Sequence, residues 1–335
     1  MTHGMDMGHI IIYAIVPIIV VMGAGFIAGK KGAFDGSSSK ILNKVVLDFA
    51  LPAALFISIV TVKPDELLKY VKLSVISLVV IMACFMAVYY IYRYWFKAGA
   101  ANAAVMALIS GSPTIGFLGF AVLEPIFDAT VGLPAVALVV AIVGIVVNAV
   151  GIPVGLSLLN SADAEMAAKR NGGKKPSFWG PVIHALAQPV AWAPILAVVM
   201  VCVGFNWPED LSPSFDLIKK ANASVAVFAA GITLSSVKVT IDWQAICGSI
   251  LKLIVMPLLL LVVGIIFKMD YWNLQMLVVA GVLPPAFSGI IIADEYSTYV
   301  ARGTSSLALS VILFMGFCPL WIWITDVCAH HFLPM

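Results

Sequence analysis

Two short stretches set helix-breaking prolines beside hydroxylated and small residues: "SGSPTIG" over 110–116 and "VLPPAFSG" over 282–289. A proline inside a helix removes one backbone donor and crowds the preceding turn, so Pro113 and the pair Pro284 and Pro285 each interrupt a helix. An interruption exposes the N-terminus of a half-helix, whose free N–H groups and positive dipole end attract an anion. Ser110, Gly111, Ser112, Pro113 and Thr114 in the first stretch are therefore candidate ligand contacts, as are Pro284, Pro285, Ala286 and Ser288 in the second. The chemistry on offer is recognition of a small anion by backbone and hydroxyl groups.

Other polar residues lie inside apolar stretches, where ionisable groups are costly and point to function. Lys252 needs an anionic partner, either a bound carboxylate or a permanently paired acid such as Asp48. Asp48 could carry a proton, ligate a cation or pair with a lysine. Asn43, Asn148, Asn222 and Gln188 can each bond a neighbouring helix, an interaction worth about 0.6–2 kcal/mol in a membrane. His184, near the end of its apolar stretch, reads as a packing histidine.

The elements that must hold these groups are set by composition. The chain has 335 residues, 62% hydrophobic and only 11% charged, against about half and a quarter in a soluble domain. This is the composition of a polytopic all-α membrane protein. A net charge of +2 argues against a nucleic-acid partner. About 20 apolar residues cross a bilayer as a helix. Ten stretches qualify, at roughly 9–29, 39–60, 73–95, 103–127, 133–159, 181–205, 217–237, 243–267, 274–294 and 304–327. The polar segment 160–178 links two halves, 1–159 and 179–335, with five stretches in each.

The odd-numbered connections are richer in Lys and Arg, with Lys30 and Lys31, Arg93 and Lys97, and Lys174 and Lys175 among them; Lys219 and Lys220 are the exception. By the positive-inside rule the odd connections and the central linker are cytoplasmic and both termini lie outside. The halves also repeat. Superposing Pro113 on Pro285 displaces the chain by about half its length, and similar displacements carry Pro17 onto Pro194 and Pro153 onto Pro319. Five spans is an odd number, so the second half must be inverted relative to the first. Matched breaks in spans four and nine of two inverted five-helix repeats are the sequence pointer to a transporter's binding site.

The order of these stretches resembles the auxin efflux carrier family, and within it the bacterial malonate-carrier-like members. The likeness rests on "VPIIVVMGAGFIAGKKG", "LNKVVLDFALPAALF" (42–56), "GSPTIGFLG", and "LKLIVMPLLL" followed by Pro284 and Pro285. The short central linker matches bacterial members. The resemblance implies a ten-helix fold in which spans one, two, six and seven form a scaffold and homodimer interface. Spans three to five and eight to ten would form a mobile transport domain working by an elevator-type shift. It implies a secondary transporter of a small carboxylate, malonate or a related dicarboxylate, in the inner (cell) membrane; an auxin-like or monocarboxylate (lactate or malate) cargo is the alternative. It also favours Asn148 for the substrate, because its span falls in the implied transport domain. Plant members carry asparagine at each crossing, where this chain has Ser112 and Pro284; that departure argues against an indole acid.

Other classes find less support. "AFSG" with Ser288 and the distant His184 loosely suggests an intramembrane serine protease, but Ala286 stands where a nucleophile elbow needs glycine. A channel needs a polar or charged pore ring. No GxxxxGK[ST] loop supports ATP drive. The five cysteines form no CxxC pair, and "MTHGMDMGH" reads as a solvated polar cap in place of a soft-metal site or a cleaved leader. No cofactor is expected, and the coupling ion, proton or sodium, stays open.

Overall fold

The computed structural model describes residues 8, 11–162, 183, 187–236, 240 and 242–332. The N-terminal Met and His cluster, most of the central linker and His184 lie outside them, as do the side chains of Lys219 and Lys220. The described residues are helical and contain no β-strand beyond a single isolated bridge. In chain order the helices are α1 (Ile11–Lys30), α2 (Ser37–Val60), α3 (Leu68–Trp95), α4 (Ala100–Ser110), α5 (Ile115–Val131), α6 (Leu133–Ala162), α7 (Pro189–Cys202), α8 (Ser212–Ser236), α9 (Trp243–Ile266), α10 (Tyr271–Val282), α11 (Phe287–Glu295) and α12 (Val300–Phe332). Six of these, α1, α2, α3, α6, α9 and α12, are long and apolar enough to cross a membrane uninterrupted.

Four long helices absorb a proline in the same way. A wide π-type turn precedes it: Ile11–Ile15 before Pro17, Val46–Ala50 before Pro52, Val146–Gly151 before Pro153, and Leu251–Val255 before Pro257. Proline has no N–H to give the carbonyl four residues back, and its ring crowds that carbonyl; widening the turn relieves the clash. In α9 the stranded carbonyl belongs to Leu253, and the indole N–H of Trp321 in α12 donates to it at 2.8 Å. Where water is absent, such a substitute donor is required.

Packing separates the chain into distinct contacts. Helices α1 and α8 pack backbone to backbone. A methyl group at Gly25 would overlap the Phe228 carbonyl oxygen, and one at Gly231 would overlap that of Met22. Gly29 makes room for the Ser235 side chain, whose hydroxyl and Cβ an added methyl would overlap. Small residues four apart permit this close approach in membrane helices. Asp35 starts α2 by accepting from the Ser38 amide at 2.8 Å and from the Ser37 and Ser38 hydroxyls at 2.7 Å each. Elsewhere Arg302 bonds Asp242 at 2.7 Å and Tyr299 at 2.6 Å, while Tyr92 donates to the Gln244 carbonyl, so α3, α9 and α12 are joined at one end.

The centre is occupied by α4 and α10. Every residue from Ala103 to Ser110 and from Asn273 to Val282 is buried. Helices apolar on all sides belong in the interior of the bundle. The two that end in breaks are thus the two shielded on every side, as non-helical backbone at membrane depth requires. All five cysteines are free.

Candidate functional site

Helix α4 ends at Ser110 and α5 starts at Ile115; α10 ends at Val282 and α11 starts at Phe287. The two four-residue gaps touch. Pro113 and Pro285 form an isolated antiparallel bridge. The Thr114 amide donates to the Pro284 carbonyl at 2.9 Å, and the Ala286 amide donates to the Ser112 carbonyl at 3.0 Å and to that of Ile109 at 3.2 Å. The offset along the chain that carries Pro113 onto Pro285 also carries Thr114 onto Ala286 and Ser112 onto Pro284. The first two bonds are therefore equivalents, and the contact has a local two-fold character.

One side of this crossing opens on a small cavity of about 30 Å³. Pro113 to Phe117 and Ala286 to Ser288 line it from the two breaks, Val147 and Asn148 from the wide turn of α6, and Leu47 from α2. Both half-helix N-termini reach it. Among the described residues no carbonyl accepts from the amides of Ile115, Gly116 and Phe117, or from those of Phe287 and Ser288. Thr114, only 2% exposed, has a hydroxyl with no hydrogen-bond partner. A buried polar atom left so is uncommon and marks a place for a ligand or water. The rings of Phe117 and Phe287 meet edge to face, 5.6 Å apart, and bound the space with apolar surface.

The structure thus brings together Pro113, Thr114, Asn148, Ala286 and Ser288 around one cavity, with Ser112, Pro284 and Pro285 in the backbone contact behind it. Other candidates stand apart from it. The Ser110 hydroxyl is 3.2 Å from that of Ser306 in α12. A methyl at Gly111 would lie 2.7 Å from the Cα of Phe85 in α3, so its bare side serves helix packing. Asn43 is buried within α2 and does not line the cavity. Asp48 is exposed on α2, whereas Lys252 is fully buried, so the two do not pair. Lys252 donates instead to the Gly281 carbonyl near the end of α10, with Met256 Sδ at 3.3 Å. Its partner is a helix end, which a sequence pattern of charges does not display.

Leu47, Phe117, Val147 and Phe287 line the cavity without having been singled out, since apolar side chains carry no chemical signal. A second signal was available. Asp48, Asn148 and Lys252 each sit in a wide turn four or five residues before a proline. A turn widened by proline leaves backbone groups open, and such bulges concentrate at functional positions.

A profile for the family described as membrane transport protein matches residues 10–322. A protein of Escherichia coli strain K12 named uncharacterized transporter YfdV is 47% identical over 311 residues, covering 93% of this chain and 96% of the relative. A Methanocaldococcus jannaschii protein named uncharacterized transporter MJ1031 is 22% identical over 314 residues, covering 92% and 96%. A Rhizobium meliloti protein named putative malonate transporter is 24% identical over 307 residues, covering 89% and 91%.

Proposed function

This chain belongs to the membrane transport protein family, the auxin efflux carriers that its break motifs resemble, and on that footing we propose that its cargo is a small organic carboxylate, malonate or a related dicarboxylate, held at the crossing of the two breaks. The observation that carries this reading is the convergence on one cavity of two half-helix N-termini, the partnerless Thr114 hydroxyl and the Asn148 side chain. Free amides and positive dipole ends favour an anion, each end supplying about half a charge. The hydroxyls of Thr114 and Ser288 add donors for carboxylate oxygens. A space of about 30 Å³ holds a water or two, or one carboxylate group, so the rest of the ligand enters a widened state. That scale favours a small acid over an indole acid. The name of the Rhizobium meliloti relative points the same way.

The mechanism we propose is alternating access of the elevator type. Ten spans would form two inverted repeats, divided at the segment 160–178, with spans four and nine broken. Helices α1, α2, α7 and α8 would be the scaffold and the homodimer contact, and α3–α6 with α9–α12 the moving part. The glycine-mediated α1–α8 contact supports a rigid scaffold, and the Asp242, Gln244, Tyr299 and Arg302 network supports joint motion of α3, α9 and α12. Both termini would lie outside the inner membrane, a reading that the Lys and Arg distribution supports. A proton gradient, a sodium gradient or the cargo's own gradient would drive the cycle.

Uptake of labelled malonate into proteoliposomes, with and without proton or sodium gradients, tests the proposal. Saturable uptake that other small dicarboxylates compete with is expected. Absence of uptake by well-folded protein across a panel of mono- and dicarboxylates would reject it.

A further inference from the structure

Lys252 is the only charged side chain that is fully buried among the described residues. It reaches the Gly281 carbonyl, two residues before the second break begins, and Met256 Sδ. The titratable group that faces it is Cys84 of α3, itself buried. No carboxylate among the described residues pairs with it. The equivalent end of α4 is treated differently. There the Ile109 carbonyl receives the Ala286 amide, and the Ser110 hydroxyl meets that of Ser306. Of two matched half-helix ends, one is met by neutral groups and the other by an amine.

We propose that Lys252 couples a proton to the cargo: its amine takes up a proton when an anion occupies the crossing and returns it when the anion leaves. The inference rests on the carboxylate reading above. An ammonium buried without an acid is costly, and the negative end of α10 compensates it only in part. An anion on the other side of the break supplies the missing charge. Opposite unit charges on the order of 10 Å apart, at an effective dielectric of about 20, favour each other by roughly tenfold. By reciprocity the proton favours the anion by the same factor. The proton comes from the aqueous phase that the site faces and joins the lone pair of Nζ; no other bond changes. The neutral amine still has N–H to donate to Gly281, so the local structure persists in both states. Lys252 is thus a charge-compensating residue that acts through the end of α10.

The test is calorimetry of malonate binding to the full chain in lipid nanodiscs, in buffers of differing ionisation enthalpy, from about pH 7 to about pH 9, where malonate stays a dianion. Wild type should take up a fraction of one proton per anion, and the fraction should vary with pH. Lys252→Arg keeps a permanent charge and should bind malonate without proton uptake. Lys252→Met should bind about tenfold more weakly, also without uptake. Cys84→Ser should leave the proton count unchanged. Malonate binding by wild type with no proton taken up at any pH overturns the coupling and leaves the carboxylate reading intact, and it does so even if both lysine variants misfold. Uptake retained in Lys252→Arg, or lost in Cys84→Ser, overturns the assignment to Lys252. Absence of binding heat for every small carboxylate overturns both readings.

Discussion

The backbone amide of Thr114 donates to the carbonyl of Pro284 at 2.9 Å, joining the start of α5 to the gap after α10. This bond occupies the amide of Thr114 and leaves its hydroxyl, buried and partnerless, beside the cavity. The residue serves the crossing with its main chain and is free to serve a ligand with its side chain.

Thr114→Val separates these roles, because it keeps the shape and the amide and removes only the hydroxyl. Deleting a buried unsatisfied group should leave thermal stability unchanged or raise it. Losing a hydrogen bond to a charged ligand should weaken carboxylate binding by about 1.5–3 kcal/mol. Paired thermal-shift and calorimetric measurements check both; unchanged affinity would exclude this hydroxyl as a ligand contact.

Gly289→Leu should harm folding as well as transport. An added methyl at Gly289 would already sit 2.8 Å from the amide nitrogen of Ile109, on the backbone of α4. Overpacking of this kind costs about 1–3 kcal/mol and displaces the half-helices from each other. Size-exclusion profiles and melting curves should show a loss of stable protein. Normal folding with normal uptake would mean that the breaks need not approach so closely.

Trp321→Phe should strand the Leu253 carbonyl that Pro257 cannot satisfy. The ring survives and the donor is lost, so a stability loss of about 1–3 kcal/mol is expected. A substitution this conservative that proved neutral would show that water or another donor reaches α9.

Asp35 predicts a defined pH window. Bonds from the Ser37 hydroxyl and from the Ser38 amide and hydroxyl hold its carboxyl well below the ordinary carboxylate range. A depressed folded-state value stabilises above the unfolded value of about 4 and is lost only as pH falls through the folded one. The gap in melting temperature between wild type and Asp35→Ala should therefore be constant from about pH 8 to about pH 4 and shrink only in stronger acid. A gap that closes near neutrality would contradict the cap.

The breaks were legible because Pro113 and the Pro284–Pro285 pair stand among Gly and Ser at matched positions of the two halves, whereas lone prolines such as Pro52 and Pro257 are absorbed in widened turns. The partner of Lys252 was not legible, because the free Gly281 carbonyl exists only once α10 has been cut short and α9 packed against it. Asp48 is an alternative partner that charge alone suggests, whereas the fold leaves Asp48 exposed and buries the lysine. Gly111 poses a related ambiguity. A glycine at a break suits a ligand or a neighbouring helix equally well in sequence, and only the position of Phe85 decides between them.

Two extended segments that meet edge to edge are the seed of a β-ladder, and exposed ladder edges recruit further strands from other copies. Here the seed cannot grow. Proline at 113, 284 and 285 supplies no N–H, and pairing stops after the single bridge. The chain can therefore keep extended backbone at its centre, during synthesis as well as in the finished fold, without offering a template to its neighbours in a crowded membrane.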